Sequence, residues 1–293
     1  MSKLILQIYR VVVPKFIRKR ILARNLRRSI LTYYTNLPNK PDEDVVQVLD
    51  YLKDNPIAVF PYHFQNKYSA DDIEVFNDPV KDLRYVLLDG KRLYFKKRWS
   101  NKRIRHSFNE LTKEQDLLSP HRYLNDNFKI EDGEVLVDIG VAEGNFALGA
   151  VEKSSKLIIF ETDQEWIEAL NATFEPWKEK VQIVNKFVSD KTDSKNTTLD
   201  DFISPGEKIT FLKIDVDGAE SRLLNGCKRI LTSQASLKLA ICTYHKQDDE
   251  KEFTELLQQN GFETSHSNGF MLFYYDKKMK EPYLRRGLIR AVK

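Results

Sequence analysis

Short apolar runs separated by amphipathic stretches organise the chain over residues 134–276. Residues 135–139, Val-Leu-Val-Asp-Ile, are apolar at both alternating sets of positions, the pattern of a strand covered on both faces. Gly144 opens a helix that runs to Glu152, and residues 157–160 predict a second strand ending at Glu161. A helix is predicted over Gln164–Phe174, then strands over 181–188 and 211–215. A helix over 219–231, a strand over 239–242 and a helix over Asp249–Gln259 follow, the last stopped by Gly261. Residues 262–265 and 271–275 predict a closing hairpin. Strands alternating with helices predict an α/β fold with a mostly parallel sheet covered on both faces. A terminal antiparallel hairpin fits the sheet's end.

The region before residue 134 reads differently. Residues 3–34 mix apolar and basic side chains at helical spacing, with Leu22, Leu26 and Ile30 on one face beside Arg20, Arg24, Arg27 and Arg28. Pro14 starts or breaks a helix there. Residues 35–44 contain two prolines and read as a linker before a short helix over 44–52. Residues 85–88 and 91–95 flank Asp89-Gly90, a tight-turn pair, and predict a hairpin. A helix is expected over 108–126. The expected organisation is a basic arm and linker (1–41), an accessory region with the hairpin (42–126), the α/β domain (127–276) and a basic tail (277–293).

Charge sharpens this picture. The net charge is +4, yet ten Lys/Arg and no Asp/Glu precede Asp42, which leaves the rest of the 293 residues acidic. That excludes a uniformly basic nucleic-acid binder, so no nucleic-acid partner is expected. The two cysteines, Cys227 and Cys242, lie in apolar runs and form no Cys-x-x-Cys pair, so a disulfide framework or zinc site is not indicated. The apolar stretch near the start is broken by Gln7 and Arg10, unlike a signal peptide. A cytoplasmic location is expected. The arm over residues 1–34 has two readings: peripheral contact with the inner face of a membrane, or packing on the catalytic domain or on a second subunit of a homo-oligomer.

Chemistry concentrates after the first strand of the α/β unit. In such sheets ligands bind beyond the carboxyl ends of the strands, at the switch point. The loop there runs Asp138, Ile139, Gly140, Val141, Ala142, Glu143, Gly144, Asn145. Glu161 ends the second strand with Thr162 beside it, and a carboxylate in that place can accept both hydroxyls of a ribose. A dinucleotide fingerprint would carry glycine where this loop has Asp138, a group that repels a pyrophosphate. A carboxylate suits S-adenosylmethionine, whose ammonium and sulfonium are cationic. A glycine-rich turn of some other α/β protein is the competing reading.

Residues 211–220 (Phe-Leu-Lys-Ile-Asp-Val-Asp-Gly-Ala-Glu), 223–226, 198–202 and 239–245 together resemble the signature of FkbM-type methyltransferases. The resemblance implies a class I methyltransferase (Rossmann-like) fold with S-adenosylmethionine as donor. It implies transfer to oxygen, on hydroxyls of a sugar or glycoconjugate. Ser189 and Asp190 stand where the family has its adenine-proximal loop. Asp217 departs from the pattern, because a glutamate is commoner there. The cofactor-binding candidates are therefore Asp138, Gly140, Glu143, Gly144, Asn145, Glu161, Thr162, Ser189, Asp190 and Asp215.

For catalysis, His245 follows the fifth strand directly, and an ordinary imidazole pKa near ~6.5 suits a general base. The competing role is a ring packed beside Tyr244. Asp215 should face the donor pocket. Asp215, Asp217 and His245 are candidate ligands for Mg2+, against the alternative that Asp217 and Glu220 charge a helix start. Residues 119–123 could cover the cofactor or contact the acceptor, and the arginines of 282–290 could bind phosphate or a sugar acid. Lys213 is expected to point away from the site, and Trp166 and Trp177 to pack. The alternatives in function are an N- or small-molecule methyltransferase on the same fold, or a non-catalytic S-adenosylmethionine-binding module.

Overall fold

A computed structural model describes residues 14–293, so the first part of the basic arm lies outside the described residues. Helix α1 (Lys15–Thr35) and helix α2 (Glu43–Asp54) come first, α2 capped by Asp42, which accepts from the Val45 amide at 2.9 Å. Strands β1 (Phe76–Asp78), β2 (Leu83–Leu88) and β3 (Lys91–Phe95) form a small antiparallel sheet. The expected hairpin is its core, turned by Asp89 and Gly90 at φ +48° and +77°. Helix α3 (Asn101–Glu114) starts earlier than its apolar pattern suggests, because Ser100 accepts from the Arg103 amide at 3.3 Å and caps it.

The main sheet uses β4 (Glu134–Ile139), β5 (Ser154–Phe160), β6 (Val181–Val184), β9 (Phe211–Ile214), β10 (Lys238–Cys242), β11 (Glu263–His266) and β12 (Leu288–Val292). Their spatial order is β11-β12-β10-β9-β4-β5-β6. Strands β10, β9, β4, β5 and β6 run parallel, and β12 pairs antiparallel with both β10 and β11. This is the mostly parallel sheet with an antiparallel end that the sequence predicts. Between β6 and β9, β7 (Phe187–Val188) and β8 (Asn196–Thr197) pair separately and α6 (Leu199–Phe202) follows. The helices of the α/β unit are α4 (Asn145–Ala150), α5 (Gln164–Phe174), α7 (Glu220–Asn225), α8 (Lys228–Ser233) and α9 (Asp249–Gln259). The single helix expected over 219–231 is two, broken at Gly226, where a Cβ would lie 2.0 Å from the Ser189 carbonyl oxygen.

Two expectations are corrected. The closing hairpin does not use residues 271–275, and residues 277–293 are not a solvated tail. Residues 288–292 enter the sheet as β12 because Leu288, Ile289 and Ala291 are apolar and fully buried there. Arg290 is buried too and is satisfied by donating to the carbonyls of Tyr123 (2.8 Å) and Arg122 (2.6 Å). The accessory hairpin also has no core of its own. Leu83, Val86, Leu93 and Phe95 share one cluster with Leu148 and Leu170 of the α/β unit. Burial of such side chains contributes roughly 1.5–3 kcal/mol each, so this shared core holds the two regions together. The inner half of α1 packs likewise, with Ile30 against Val48, Leu52, Leu272 and Leu284.

Candidate active site

Strand order reverses between β4 and β9, and the site forms at their carboxyl ends. Register builds it. Asp138 is the cross-strand partner of Lys213, and Ile139 that of Ile214. Phe211, Lys213 and Asp215 alternate onto one face, the face of the core that includes Leu136 and Phe146. Lys213 therefore points into the site, which corrects the expectation that it points away. Its ammonium donates to the Gly140 carbonyl at 2.7 Å, lies 3.1 Å from Asp138 Oδ1 and sits 5.4 Å from the Tyr123 ring centre. Burial works against that charge, but Asp138 and Asp215 outweigh it and raise the Lys213 pKa. Burial raises the Asp138 carboxyl in turn.

The loop after β4 makes three left-handed turns, at Gly140 (φ +78°), Ala142 (φ +46°) and Gly144 (φ +83°). It folds over the end of β5, where Glu161 accepts from the amides of Ala142 (3.0 Å), Thr162 (2.7 Å) and Asp163 (2.8 Å). Glu161 thus holds the loop and keeps part of its acceptor capacity for a ligand. Asp138, Gly140, Glu143, Asn145 and Asp215 line a cavity of about 230 Å³, with Ser107, Glu110, Leu111 and Glu114 of α3 across from them. Ser107 donates to Glu143 Oε1 at 2.7 Å, and burial raises the Glu143 carboxyl. Ser189 and Asp190 do not line this cavity; they hydrogen-bond to each other at 3.1 Å. A larger concavity, about 970 Å³, lies away from this chemistry between α2, residues 117–128 and the β11–β12 edge.

Asp215 is the hub. Tyr123 donates to its Oδ2 at 2.8 Å and Tyr244 to its Oδ1 at 3.3 Å, while His121 Nε2 lies 3.6 Å and His245 Nε2 3.8 Å away. Burial opposes its charge, but the His121 hydrogen bond and the Lys213 cation hold the carboxyl far below the usual range. His245 is buried, with Nδ1 2.9 Å from Glu220 and Nε2 3.6 Å from Asp217. Burial disfavours its charge, yet Asp217, Glu220 and Asp215 raise its pKa to about 10. The expectation of His245 as a general base is therefore corrected: at neutral pH the ring already carries its second proton. Of the residues expected to hold Mg2+ (Asp215, Asp217 and His245), the structure groups Asp215 and His245 with Glu220 in place of Asp217. The atoms of Asp215, Glu220 and His245 lie within ligand reach of one another. A metal there would displace the imidazole proton, and while Glu220 Oε1 accepts from the Val216 amide at 3.1 Å, its buried Oε2 has no hydrogen-bond partner. These groups form an ion-pair network around the His245 ring.

Sequence reasoning missed α3 as a wall, and with it Glu110 and Glu114. It placed residues 119–123 over the cofactor or against the acceptor; their His121 and Tyr123 flank Asp215. An amphipathic, Ser-capped helix just before the α/β unit was the available signal.

The donor set fits S-adenosylmethionine. Five carboxylates line the cavity against one cation, Lys213, and Asp138 Oδ1 is buried without a well-aligned hydrogen bond. Such a wall repels phosphates and attracts an ammonium or sulfonium. Glu161→Ala is expected to weaken S-adenosylhomocysteine binding by about 10- to 100-fold in calorimetry, the worth of one or two hydrogen bonds to a charged group. An unchanged Kd would remove Glu161 from the site.

No curated protein sequence matches the chain. Among solved structures it is similar to methyltransferase FkbM from Methylobacillus flagellatus KT, with 15% identity and a TM-score of 0.47 over 92% of this chain. The chain spans 59% of that protein's length. It is also similar to an rRNA methylase from Streptococcus thermophilus (15% identity, TM-score 0.38, 56% of this chain and 88% of the other). A third is precorrin-6y C5,15-methyltransferase from Geobacter metallireducens GS-15 (16% identity, TM-score 0.36, 56% of this chain and 81% of the other). A family model described as the methyltransferase FkbM domain matches residues 89–269, which take in the hairpin turn, α3, the β4 loop and the Asp215 hub. The match covers more than half of the sequence, and the chain belongs to the FkbM methyltransferase family.

Proposed function

We propose that the protein is an S-adenosylmethionine-dependent O-methyltransferase acting on a hydroxyl of a sugar or glycoconjugate. The observation that carries this reading is the acid-walled cavity with an aromatic shelf beside its hub. Phe273 stands edge-on to Tyr244 and His245 at 5.1 and 5.4 Å, and Tyr275, 5.9 Å further out, is exposed. Rings that are apolar on one face and wet on the other suit a ligand with alternating C–H and O–H groups. Asp217, fully exposed beside them, offers hydroxyl-accepting oxygens.

When bound, the cofactor supplies an electrophilic methyl group, and Glu161, Gly140 and the cavity acids would hold it. Asp215 stays ionised and fixes Tyr123 and Tyr244. Proton removal from an alcohol falls to Glu114, whose carboxyl is pushed up to about 7 by burial and by the negative charges of Asp215, Glu143 and Glu110, against the opposing influence of His121. A base works once deprotonated, so turnover should rise with pH through a limb at or below that value, since a bound cation draws it down. Glu114→Gln should lower kcat about 100-fold and flatten that limb. A retained limb would transfer the role elsewhere.

The direct test is incubation of the protein with methyl-labelled S-adenosylmethionine and a panel of glycosides, oligosaccharides and glycolipids, with products read by NMR. Label on a sugar oxygen supports the reading. Label on nitrogen or on a small non-sugar molecule replaces the acceptor class. Cofactor binding without transfer to any of them favours a non-catalytic module.

A further inference from the structure

We propose that the outer half of α1 docks the protein on an anionic phospholipid surface. Helix α1 carries Lys15, Arg18, Lys19, Arg20, Arg24, Arg27 and Arg28 and no acidic residue. Its inner half is committed to the body of the protein. Ile30 is fully buried, Tyr34 donates to the Pro282 carbonyl at 2.6 Å, and Arg27 donates to the carbonyls of Lys53 (2.9 Å) and Asn55 (3.2 Å) at the end of α2. Its outer half is not. Phe16, Ile17, Ile21 and Leu22 are 60, 38, 40 and 66% exposed. Seven other large apolar side chains are exposed among the described residues, but none of them lies on an element that carries so many cations.

Three observations select the occupant. The positive charge calls for an anionic partner, and a second copy of this helix would set cations against cations. The exposed aliphatic and aromatic side chains call for an apolar layer within reach of that negative charge. A leaflet with anionic headgroups supplies both at one depth, with basic side chains at the headgroups and apolar ones below them. A nucleic-acid backbone would satisfy the arginines and leave Phe16 and Leu22 in water. Among the described residues no helix is long and apolar enough to cross a membrane, so this contact is a surface one. The docking surface is separate from the Asp215 hub, and its test does not depend on the acceptor.

The experiment is co-sedimentation of the full chain with sucrose-loaded vesicles of phosphatidylcholine alone or with a third phosphatidylglycerol. Binding to the anionic vesicles and not the neutral ones, weakening as salt is raised, is expected. Arg20→Gln with Arg24→Gln should weaken partitioning about 30-fold, at about fivefold per basic side chain. Phe16→Ser with Leu22→Ser should weaken it at constant salt dependence. S-adenosylhomocysteine binding and melting temperature should stay at wild-type values in both variants, since these side chains are exposed. Absence of binding to anionic vesicles at low salt overturns the proposal. So does binding that survives both variants, or displacement of the vesicles by an equal charge concentration of oligonucleotide.

Discussion

Lys213→Met is expected to lower the melting temperature by about 6–20 °C and to abolish S-adenosylhomocysteine binding. Lys213 is the cation between two acids at the switch point, 3.1 Å from Asp138, with both side chains almost wholly buried. Methionine keeps the length and apolar stem and removes the charge. Asp138 is then left buried without its cation and in the field of Asp215, and breaking a buried pair in this way costs about 3–5 kcal/mol. For a chain of this size each kcal/mol moves the midpoint by about 2–4 °C. The Gly140 carbonyl also loses its 2.7 Å donor, so the cofactor loop loosens. The pH dependence has a definite sign. Burial already raises the Asp138 carboxyl, and Lys213 opposes that rise. Without Lys213 the folded pKa climbs further above the unfolded one. A group of that kind favours the fold below its unfolded pKa and loses that contribution as pH rises through the folded pKa. The deficit of the variant relative to wild type should therefore shrink as pH falls in paired calorimetric melts. A deficit independent of pH, or a variant as stable as wild type, would show that the pair is not the electrostatic centre described here.

The other large effect is expected from Gly140→Ala. A Cβ at Gly140 would lie 1.7 Å from the backbone oxygen of Asp215 and 2.8 Å from its carbonyl carbon, at φ +78°. Neither partner can yield. Ile139 O accepts from the Asp215 amide at 3.1 Å, and β4 and β9 are locked in register below it. The added methyl must spread the two strands at the place where the cofactor loop leaves the sheet. Loss of S-adenosylhomocysteine binding by more than about 100-fold is expected, with a visible drop in melting temperature. Gly133→Ala is the control. Its φ is +86° and nothing lies within 4 Å of the added atom, so it should cost only the left-handed strain, about 1–2 kcal/mol, and leave binding intact. Equal behaviour of the two variants would mean that backbone strain alone, and not the close approach, explains the glycine.

The α/β unit was legible because its strands are buried on both faces. Continuous apolar runs such as 135–139 and 157–160 leave little choice but a covered parallel strand, and the acid at the end of β5 follows from the position of that run. The hairpin at Asp89-Gly90 was legible for a local reason, since two left-handed residues in succession favour that pair. The second strand of the terminal pair was not legible. Residues 271–275 and 288–292 are both apolar enough to serve, and only the fit of Leu288, Ile289 and Ala291 beside β10 selects the latter. Trading a solvated arginine for a buried one at Arg290 is possible only because the carbonyls of Arg122 and Tyr123 are waiting there.

The sequence by itself determined the order of the parallel strands, the place of the switch point and the glycine turns of the loop after β4, all properties carried by short-range periodicity and turn chemistry. The tertiary structure alone decided the electrostatics. Register set Lys213 opposite Asp138, α3 brought Glu114 to the cavity, and residues 119–123 folded back onto Asp215. His245 changed from a candidate base to a held cation for the same reason: a pKa depends on every charge within a few ångströms, and most of those charges are far away along the chain.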